Sequence, residues 1–591
     1  MPKSKQAAKP GKAPSAETRD RSAATTVAVA INGSGGAGAI TAGGMLLKAA
    51  ARAGYYGLFT RAVGPQIRGG EAAAILRLAT TPVETAANRC DLQIAIDWMN
   101  ADRFAGELNL GPDSLVVANA DAEDAPEVIT KSGARIVSVP LTKLAKSIKG
   151  GRPNMVALGI AAAAIGIPQD AVEKEIVDTL ASKGEAAIAA STQALAAGMK
   201  AANEVGASTP LATATSDTKR WIISGNEAAG LGAIRGGVRF VAAYPITPAT
   251  EILEWMSPAL VKAGGSLVQA EDELASINMI IGASYGGVPS LTATSGPGLA
   301  LMIESLGLAI ASEIPIVIVD VMRGGPSTGI PTKSEQSDLN MALYGCHGDA
   351  PHIVAAPTSV ADCLFTTQWA VHLAEATQAP AIVLSDQFLG QAKAVIDRPA
   401  DIAFIANRKI ETAPAEGYRR YAITADGVSP MTVPGTPGGQ YTADGLEHNP
   451  RGTPSTSPTD HMSQLDKRAG KLTGFDYGQH WADIEGKGEI AVITWGSSTG
   501  PVREAIETAR ADGMKVKLIA LRLLAPTQPE QLAKALKGVD HALVVEQTHS
   551  GQFLRYLRGE YDLPAKVEHL CRPGPLTYRA AEILTALNDM R

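Results

Sequence analysis

The stretch from Tyr244 to Asp338 contains four polar clusters: Tyr244-Pro-Ile-Thr-Pro248, Glu271-Asp-Glu273, Thr294-Ser-Gly-Pro-Gly298 and Arg323-Gly-Gly-Pro-Ser-Thr-Gly-Ile-Pro-Thr-Lys-Ser-Glu-Gln336. Each cluster follows an apolar, β-prone run, and these runs are Val238–Ala243, Gly265–Val268, Val288–Ala293 and Ile314–Val321. Strands that end in polar turns and lead into helices are typical of an open parallel sheet, where ligands bind beyond the carboxyl ends of the strands. The sequence therefore predicts an α/β fold in which the four clusters line one crevice.

The overall composition excludes several classes of protein. A chain of 591 residues with 45% hydrophobic residues can form several domains with ample cores. The net charge of −6 argues against a nucleic-acid binder, which needs a basic face to neutralise phosphates. The cysteines are far apart and form no Cys-x-x-Cys, so we expect this chain to hold no thiolate-bound metal and no disulfide framework. They are Cys90, Cys346, Cys363 and Cys571.

The sequence predicts neither a secretory signal nor a membrane-spanning segment. Residues 1–24 are basic and lack an apolar core, which is typical of a disordered tail rather than a secretory signal. The longest apolar run, Met155–Ile167, has 13 residues and is too short to cross a bilayer. We therefore expect a soluble, cytoplasmic protein.

Changes in periodicity divide the remaining chain into segments. We expect α/β domains over residues 25–205, 221–399 and 473–591, a breaker-rich linker over 206–220, and an irregular insert over 400–472. So long a structureless insert is either functional or covers a neighbouring surface. Its residues Glu447, His448 and His461 have no helical or hairpin spacing, so we interpret them as solvent-facing loop residues rather than metal ligands.

A glycine-rich turn opens the first domain. The strand Thr26–Ile31 precedes Gly33-Ser-Gly-Gly-Ala-Gly38 and a helix from about Ile40 to Ala53, a spacing that rests a phosphate on a helix N-terminus. Dinucleotide binding also needs an acidic residue at the end of the second strand, but Tyr55–Phe59 ends in Thr60-Arg61. Two interpretations stay open, a site for a different phosphate-bearing ligand and a purely structural turn.

The central clusters contain the side chains that a small carboxylic acid would need. Thr247 lies in a turn made rigid by two prolines, and Arg323 emerges at a strand end, where its guanidinium can clasp a carboxylate. The alternative for Arg323 is an ion pair with Glu335 or Asp338. Further donors surround it, namely Ser327, Thr328, Thr332 and Lys333.

Glu273 has two interpretations from the residues alone. It begins a helix, and acidic residues in a first turn commonly compensate the helix dipole. A carboxylate there could instead be buried against a ring nitrogen and share a proton with it. With three acids in a row, the dipole interpretation is the stronger one on composition.

These motifs closely resemble the α subunit of 2-oxoacid:ferredoxin oxidoreductases, and Gly325-Pro-Ser-Thr-Gly329 resembles the 2-oxoglutarate branch. The N-terminal 200 residues, with Gly33–Gly38 and Gln66-Ile-Arg68-Gly-Gly70, resemble the family's γ subunit, fused ahead of α. The C-terminal part, with Val545-Glu-Gln547, resembles the family's transketolase-C-terminal-like domain. The resemblance covers nearly everything after residue 24.

The resemblance implies a thiamine diphosphate enzyme that decarboxylates a 2-oxoacid oxidatively, transfers the product to coenzyme A and reduces ferredoxin. It places Glu273 at the position that activates the cofactor's aminopyrimidine, in a pyrimidine-binding fold. It places Thr247, Arg323 and Thr332 around the substrate carboxylate, and we add Lys333 for the distal carboxylate of 2-oxoglutarate. The implied cofactor contacts are Tyr244, Ile246, Ser295, Gly296 and Gly298. The candidates for coenzyme A are Gly33, Gly35, Gly36, Gly38 and Arg68.

A missing motif predicts a partner. Thiamine enzymes bind magnesium and diphosphate through Gly-Asp-Gly followed by Asn-Asn, which this chain lacks. In the family that motif and the [4Fe-4S] cluster belong to a β subunit, so the resemblance implies half an active site and a dimer of αβ pairs. The alternatives are a broad-specificity 2-oxoacid enzyme, a non-catalytic thiamine-fold scaffold and a dehydrogenase that uses the glycine turn. The sequence leaves the physiological direction open, including reverse carboxylation for carbon fixation.

Overall fold

The computed structural model describes residues 23–64, 71–99, 101, 105–214 and 218–591. Most of the predicted basic tail and Arg68 lie outside these residues. Within them, no helix is long and apolar enough to cross a membrane.

The N-terminal unit, described over residues 23–214 with the gaps given above, alternates strands and helices. Its elements are β1 Thr26–Ser34, α1 Ala39–Arg52, β2 Tyr56–Val63, β3 Glu71–Ala79, β4 Leu92–Ala95, α2 Ala105–Leu108, β5 Leu115–Asn119, α3 Glu127–Thr130, β6 Arg135–Val139, α4 Leu141–Lys146, α5 Pro153–Ile165, α6 Gln169–Leu180 and α7 Glu185–Glu204.

The central unit, residues 221–473, contains the four polar clusters. Its elements are β7 Trp221–Ser224, α8 Gly225–Gly236, β8 Phe240–Ala243, α9 Thr250–Lys262, β9 Ser266–Gln269, α10 Glu273–Tyr285, β10 Ser290–Thr294, α11 Gly296–Ala311, β11 Val317–Met322, α12 Leu339–Tyr344, β12 Ile353–Ala355, α13 Asp362–Thr377, β13 Ala381–Asp386, α14 Gln387–Gln391, β14 Lys393–Ile396 and α15 Pro458–Thr473.

The C-terminal unit, residues 474–591, is a smaller α/β layer. Its elements are β15 Ala482–Glu485, β16 Ile490–Trp495, α16 Thr499–Ala511, β17 Val516–Leu521, β18 Leu523–Ala525, α17 Pro529–Ala535, β19 His541–Glu546, α18 Gln552–Glu560, β20 Lys566–Cys571 and α19 Ala580–Asp589.

The strands form three sheets, which confirms the α/β class. The orders are β6-β5-β4-β1-β3-β2-β14-β7, β18-β12-β13-β11-β10-β8-β9 and β15-β17-β16-β19-β20. The units share these sheets, because β7 and β14 of the central unit extend the first sheet and β18 extends the second. Apart from one edge strand each, β18 and β15, the second and third sheets are parallel.

The first sheet differs from the predicted parallel arrangement. β2 and β3 pair antiparallel, and so do β1 and β3. Only residues 64–70 join β2 to β3, and a parallel connection needs a dozen residues or more. Consequently β2 does not lie parallel beside β1, as the second strand of a dinucleotide-binding unit would.

The predicted irregular insert over 400–472 is wrong at its end, where α15 forms a 16-residue helix. The buried face of α15 is polar, so hydrophobic periodicity could not reveal it. Lys467 and Lys471 donate to the two carboxylate oxygens of Glu313 at 2.6 and 2.8 Å, and all three residues are buried. This buried ion cluster joins α15 to the end of α11.

The prediction of a solvent-facing His448 is also wrong. His448 is buried, its ring lies 3.9 Å from the Tyr421 ring, and Nδ1 lies 2.9 Å from the carbonyl oxygen of Leu446. His461 is exposed as predicted, and its Nδ1 lies 2.6 Å from Glu447 Oε2. Glu447 therefore serves as an ion-pair partner on the insert rather than as a free loop residue.

Candidate active site

The four polar clusters meet at one edge of the second sheet. Strands β11, β10, β8 and β9 are parallel neighbours in that order, so their carboxyl ends point the same way. Each cluster begins where one of these strands ends. The four clusters therefore share one edge of the sheet, as strand order alone requires, and a single crevice lined by all four stays a prediction.

Arg323 bridges two of the clusters. Its Nη1 donates a 2.6 Å hydrogen bond to the carbonyl oxygen of Thr247. Arg323 is buried, and burial lowers the pKa of its guanidinium, which nevertheless stays charged. Its Nε and the hydroxyl of Thr332 are buried with no hydrogen-bond partner among the described residues. Buried polar groups are normally paired, so these two donors are available to a ligand.

Glu273 is buried, whereas its neighbours Glu271 and Asp272 are exposed. The N-cap of α10 is Asp272, whose Oδ1 accepts from Ala275 N at 2.7 Å, so Glu273 is not needed to cap the helix. Its carboxylate lies against Gly298: a Cβ at that position would come within 2.8 Å of Glu273 Oε1. The geometry thus favours the buried-carboxylate interpretation over dipole compensation alone.

The other proposed cofactor contacts surround the same edge. Ser295 precedes α11, and its hydroxyl is buried without a partner among the described residues. A Cβ on Gly296 would lie 2.5 Å from a carboxylate oxygen of Asp338, so a side chain at this position would displace that carboxylate. Ile246 is half-buried, and Tyr244 is exposed at 40%. Tyr244 is therefore free to contact a partner or ligand.

Lys333 already has a partner inside the chain. Its ammonium group forms an ion pair with Glu107 of α2, in the N-terminal unit. Both side chains line a cavity of about 80 Å³ where the three units meet, together with Thr332 and Arg579. The structure thus places Lys333 in the loop that follows Arg323, with its ammonium group engaged by an acid.

The C-terminal unit holds the loop that follows Arg323 in place through hydrogen bonds to Ser334 and Gln336. Gln336 Nε2 donates to Trp495 O at 2.9 Å, and Gln336 Oε1 accepts from Ser498 Oγ at 3.0 Å. Gln547 Nε2 donates to Ser334 O at 3.2 Å. Both glutamines belong to motifs found in the sequence, but the sequence could not predict that they contact each other, because they lie 211 positions apart.

The glycine-rich turn opens onto a separate cavity of about 920 Å³. Gly36 and Gly38 have φ of +93° and +83°, left-handed conformations that glycine tolerates best, and Gly38 is the N-cap of α1. Gly33 lies at the end of β1, and Gly35 is exposed in the turn. The cavity is also lined by three cations that the sequence analysis missed, since they lie far along the chain: Lys149, Arg152 and Lys183.

The C-terminal sheet contains the one group of potential metal ligands found among the described residues, Glu546, His569 and Cys571. The carboxylate of Glu546 accepts hydrogen bonds from the backbone N–H groups of Phe553 and Leu554. It also contacts His569 Nε2 at 2.9 Å. Through these contacts, Glu546 caps the N-terminus of α18.

Comparison with known proteins matches three segments of the chain to models of oxidoreductases that use ferredoxin or flavodoxin. Family models match residues 231–467 (pyruvate flavodoxin/ferredoxin oxidoreductase, thiamine diP-bdg), 28–201 (pyruvate ferredoxin/flavodoxin oxidoreductase) and 488–568 (pyruvate:ferredoxin oxidoreductase core domain II). The 2-oxoglutarate synthase subunit KorA of Methanothermobacter marburgensis is 37% identical over 380 residues, covering 63% of this chain and 100% of that subunit. The chain belongs to the 2-oxoacid:ferredoxin oxidoreductase family.

Two further relatives of this oxidoreductase family match over more of the chain. The 2-oxoglutarate oxidoreductase subunit KorA of Mycobacterium tuberculosis is 34% identical over 526 residues, covering 82% of this chain and 79% of that subunit. The solved 2-oxoglutarate:ferredoxin oxidoreductase of Magnetococcus marinus is 36% identical with a TM-score of 0.89, covering 96% of this chain and 99% of that chain. The thiamine diphosphate-binding match at residues 231–467 contains all four polar clusters.

Proposed function

We propose that this chain is the fused γα-type subunit of a thiamine diphosphate-dependent 2-oxoglutarate:ferredoxin oxidoreductase. The enzyme converts 2-oxoglutarate, coenzyme A and oxidised ferredoxin into succinyl-CoA, CO2 and reduced ferredoxin. One observation carries this proposal: nearly the whole chain shares its fold with the Magnetococcus marinus oxidoreductase, whose structure has 2-oxoglutarate, coenzyme A and succinyl-CoA bound. Bound thiamine diphosphate supplies the carbanion chemistry, and the protein binds, orients and tunes it.

The residues around Glu273 fit the aminopyrimidine ring of that cofactor. A buried carboxylate with no hydrogen-bond partner among the described side chains can hold or give up a proton at a ring nitrogen. The absence of a side chain at Gly298 keeps the space beside Glu273 open. Ser295 offers an unpaired hydroxyl at the start of α11. Glu273 is thus our proposed catalytic residue.

The 2-oxoacid carboxylate binds, in this proposal, at the guanidinium of Arg323. Thr247 fixes that guanidinium through its carbonyl oxygen, and the unpaired hydroxyl of Thr332 adds a donor. Arg–carboxylate contacts are strong because the planar group can donate two parallel hydrogen bonds. Lys333 would hold the distal carboxylate, for which it must exchange Glu107 for the substrate.

The β subunit docks, we propose, on the outer face of α10 and α11. Between Glu273 and Glu304 the sequence contains no charged residue, although both helices lie at the surface and expose Leu274, Met279 and Leu301 by 42–50%. A surface helix normally carries charges on its outer face, and an uncharged one is usually buried in an assembly. This face adjoins Glu273, where the partner would bring the missing magnesium–diphosphate motif and, with it, the iron–sulfur cluster.

The interface can be tested with paired substitutions. Leu274→Asp or Leu301→Asp should abolish co-purification with a β subunit that contains Gly-Asp-Gly and clustered cysteines. Val261→Asp, at an apolar residue of α9 that is even more exposed, is the control and should leave co-purification unchanged. If both leucine variants still assemble with the β subunit, the β subunit docks on a different surface.

Coenzyme A binds, in this proposal, in the cavity beside the glycine-rich turn. The N-terminus of α1 favours a phosphate. Lys149, Arg152 and Lys183 have no acidic ion-pair partner among the described residues, so their charge is available to the ligand's phosphates. Lys149→Ala should raise the KM for coenzyme A about tenfold, as expected for one lost charged contact. Lys146→Ala, an exposed lysine outside the cavity, is the control, and an unchanged KM in Lys149→Ala would reject the site.

The function itself is tested in the reconstituted complex. Co-expression with the β subunit, followed by a panel of 2-oxoacids, should give coenzyme A-dependent ferredoxin reduction with 2-oxoglutarate preferred. Equal rates with pyruvate, 2-oxobutyrate and 2-oxoglutarate would favour the broad-specificity alternative. No turnover with any 2-oxoacid in a correctly assembled complex would favour a scaffold subunit.

A further inference from the structure

Two carboxyl groups lie together beside Arg323, outside the set of residues that the proposed reaction uses. Asp320 is in β11 and is fully buried, and Asp338 precedes α12 with its Oδ2 buried. The two side chains are close enough to hydrogen-bond each other. Neither Asp320 oxygen nor Asp338 Oδ2 has an N–H or hydroxyl donor among the described residues.

Two adjacent carboxylates cannot both stay ionised in a buried site, so such a pair shares a proton. Burial and the neighbouring Asp338 hold the pKa of Asp320 well above its usual range. Burial also raises the pKa of Asp338 to about 6. Near neutral pH the two carboxyl groups therefore share one proton and carry one negative charge between them.

The charges around this pair come from few elements. Arg323, at the end of β11, is the one cation among the described residues that acts on both carboxyl groups. Glu335, in the same loop as Asp338, adds a second negative charge, and His549 of the C-terminal unit acts on Glu335. The facing first turns of α11 contribute no charge before Glu304. Negative groups thus already outnumber Arg323 before any substrate arrives.

We infer that Asp320 and Asp338 form a proton-sharing pair beside Arg323 that takes up one proton from solvent when a 2-oxoacid carboxylate binds there. The inference rests on the proposed role of Arg323. An arriving carboxylate adds a negative charge near a pair that already carries one. Uptake of a proton by Asp338 removes that charge and with it the repulsion between the pair and the substrate. Asp338 thereby sets the charge of the site and takes no part in the reaction itself.

Proton uptake can be measured directly in the complex with the β subunit and thiamine diphosphate. The probe is glutarate, a dicarboxylate without the oxo group, titrated calorimetrically at neutral pH in buffers of different ionisation enthalpy. The native complex should take up about one proton per site, and Asp338→Asn should take up none. Glu254→Gln, an exposed acid-to-amide change on α9, is the matched control and should behave as the native complex.

A second variant identifies which of the two carboxyl groups takes up the proton. The carboxamide of Asp320→Asn can donate to Asp338 as a protonated Asp320 does, so this variant should retain the uptake, and loss of the uptake would overturn its assignment to Asp338. A native complex that binds glutarate without proton uptake overturns the inference, as does uptake that persists in Asp338→Asn. If Arg323→Ala binds glutarate as tightly as the native complex, the proposed substrate site fails instead, whatever the proton count.

Discussion

Gln336 and Gln547 exchange two hydrogen bonds across the boundary between the central and C-terminal units. Gln336 N donates to Gln547 O at 2.9 Å, and Gln547 N donates to Gln336 Oε1 at 2.8 Å. Both residues are buried. Since Gln336 ends the loop that begins at Arg323, the C-terminal unit fixes the position of the proposed substrate site without contributing a reacting group.

Gln336→Ala should therefore weaken substrate binding. The change removes the acceptor for Gln547 N and the donor for Trp495 O, and each buried group left unpaired costs about 1–3 kcal/mol. We expect the KM for 2-oxoglutarate to rise about tenfold, with a lower thermal midpoint. Steady-state kinetics and calorimetry check this. Gln531→Ala, which changes an exposed glutamine on α17, is the control. Unchanged kinetics in Gln336→Ala would show that substrate binding does not depend on the Gln336–Gln547 hydrogen bonds.

Glu313→Ala should detach α15 from the central unit. Glu313 is fully buried between Lys467 and Lys471, and removal of one partner from a buried ion pair costs about 3–5 kcal/mol. We expect faster hydrogen exchange over residues 458–473, measured by mass spectrometry. Glu304→Ala, an exposed acid on α11, should not change the exchange. Equal protection in both variants would mean that the ion cluster does not hold the helix.

The same cluster predicts an acid dependence. The two lysines hold the pKa of Glu313 far below its ordinary value of 4.5. A carboxylate with a depressed folded-state pKa stabilises the fold above its unfolded pKa, and this contribution is lost as the pH falls below about 4.5. Hydrogen exchange over α15 should accelerate in that range for the native chain. In Glu313→Gln, whose side chain is already neutral, the exchange should show no such step; a step of equal size there would assign it to other groups.

Lys333→Met should raise the KM for 2-oxoglutarate about tenfold but leave that for 2-oxobutyrate, which lacks a distal carboxylate, nearly unchanged. The reason is that only the dicarboxylate needs the ammonium group. Glu107→Gln, which removes the competing acid, should lower the KM for 2-oxoglutarate. If both variants affect the two substrates equally, the Lys333–Glu107 pair only braces the N-terminal unit against the central one.

Some of this architecture could be predicted from the sequence because it depends on local pattern. The clusters at Thr247, Glu273, Ser295 and Arg323 each follow a strand of one parallel sheet, so strand order alone brings them together. The role of Glu273 came from the family resemblance, since composition alone favoured compensation of the helix dipole. Only the structure shows that Glu273 is buried whereas its neighbours Glu271 and Asp272 are exposed.

Other features depend on contacts between distant residues, which no local pattern encodes. The Gln336–Gln547 tie and the cations beside the glycine-rich turn belong to this group. The helix α15 was missed for a different reason: four of its five buried residues are polar or charged, so its burial gives no hydrophobic period. The five are Gln464, Lys467, Arg468, Lys471 and Leu472.

The most direct test of the central claim is the activity of Glu273→Gln in the complex with the β subunit. We predict that 2-oxoglutarate- and coenzyme A-dependent ferredoxin reduction falls at least about a hundredfold, as expected when a proton-transferring group is lost. Assembly and thiamine diphosphate content should be retained. Glu271→Gln, the exposed acid two positions earlier, should keep full activity. Activity of Glu273→Gln within about twofold of the native complex would contradict the account.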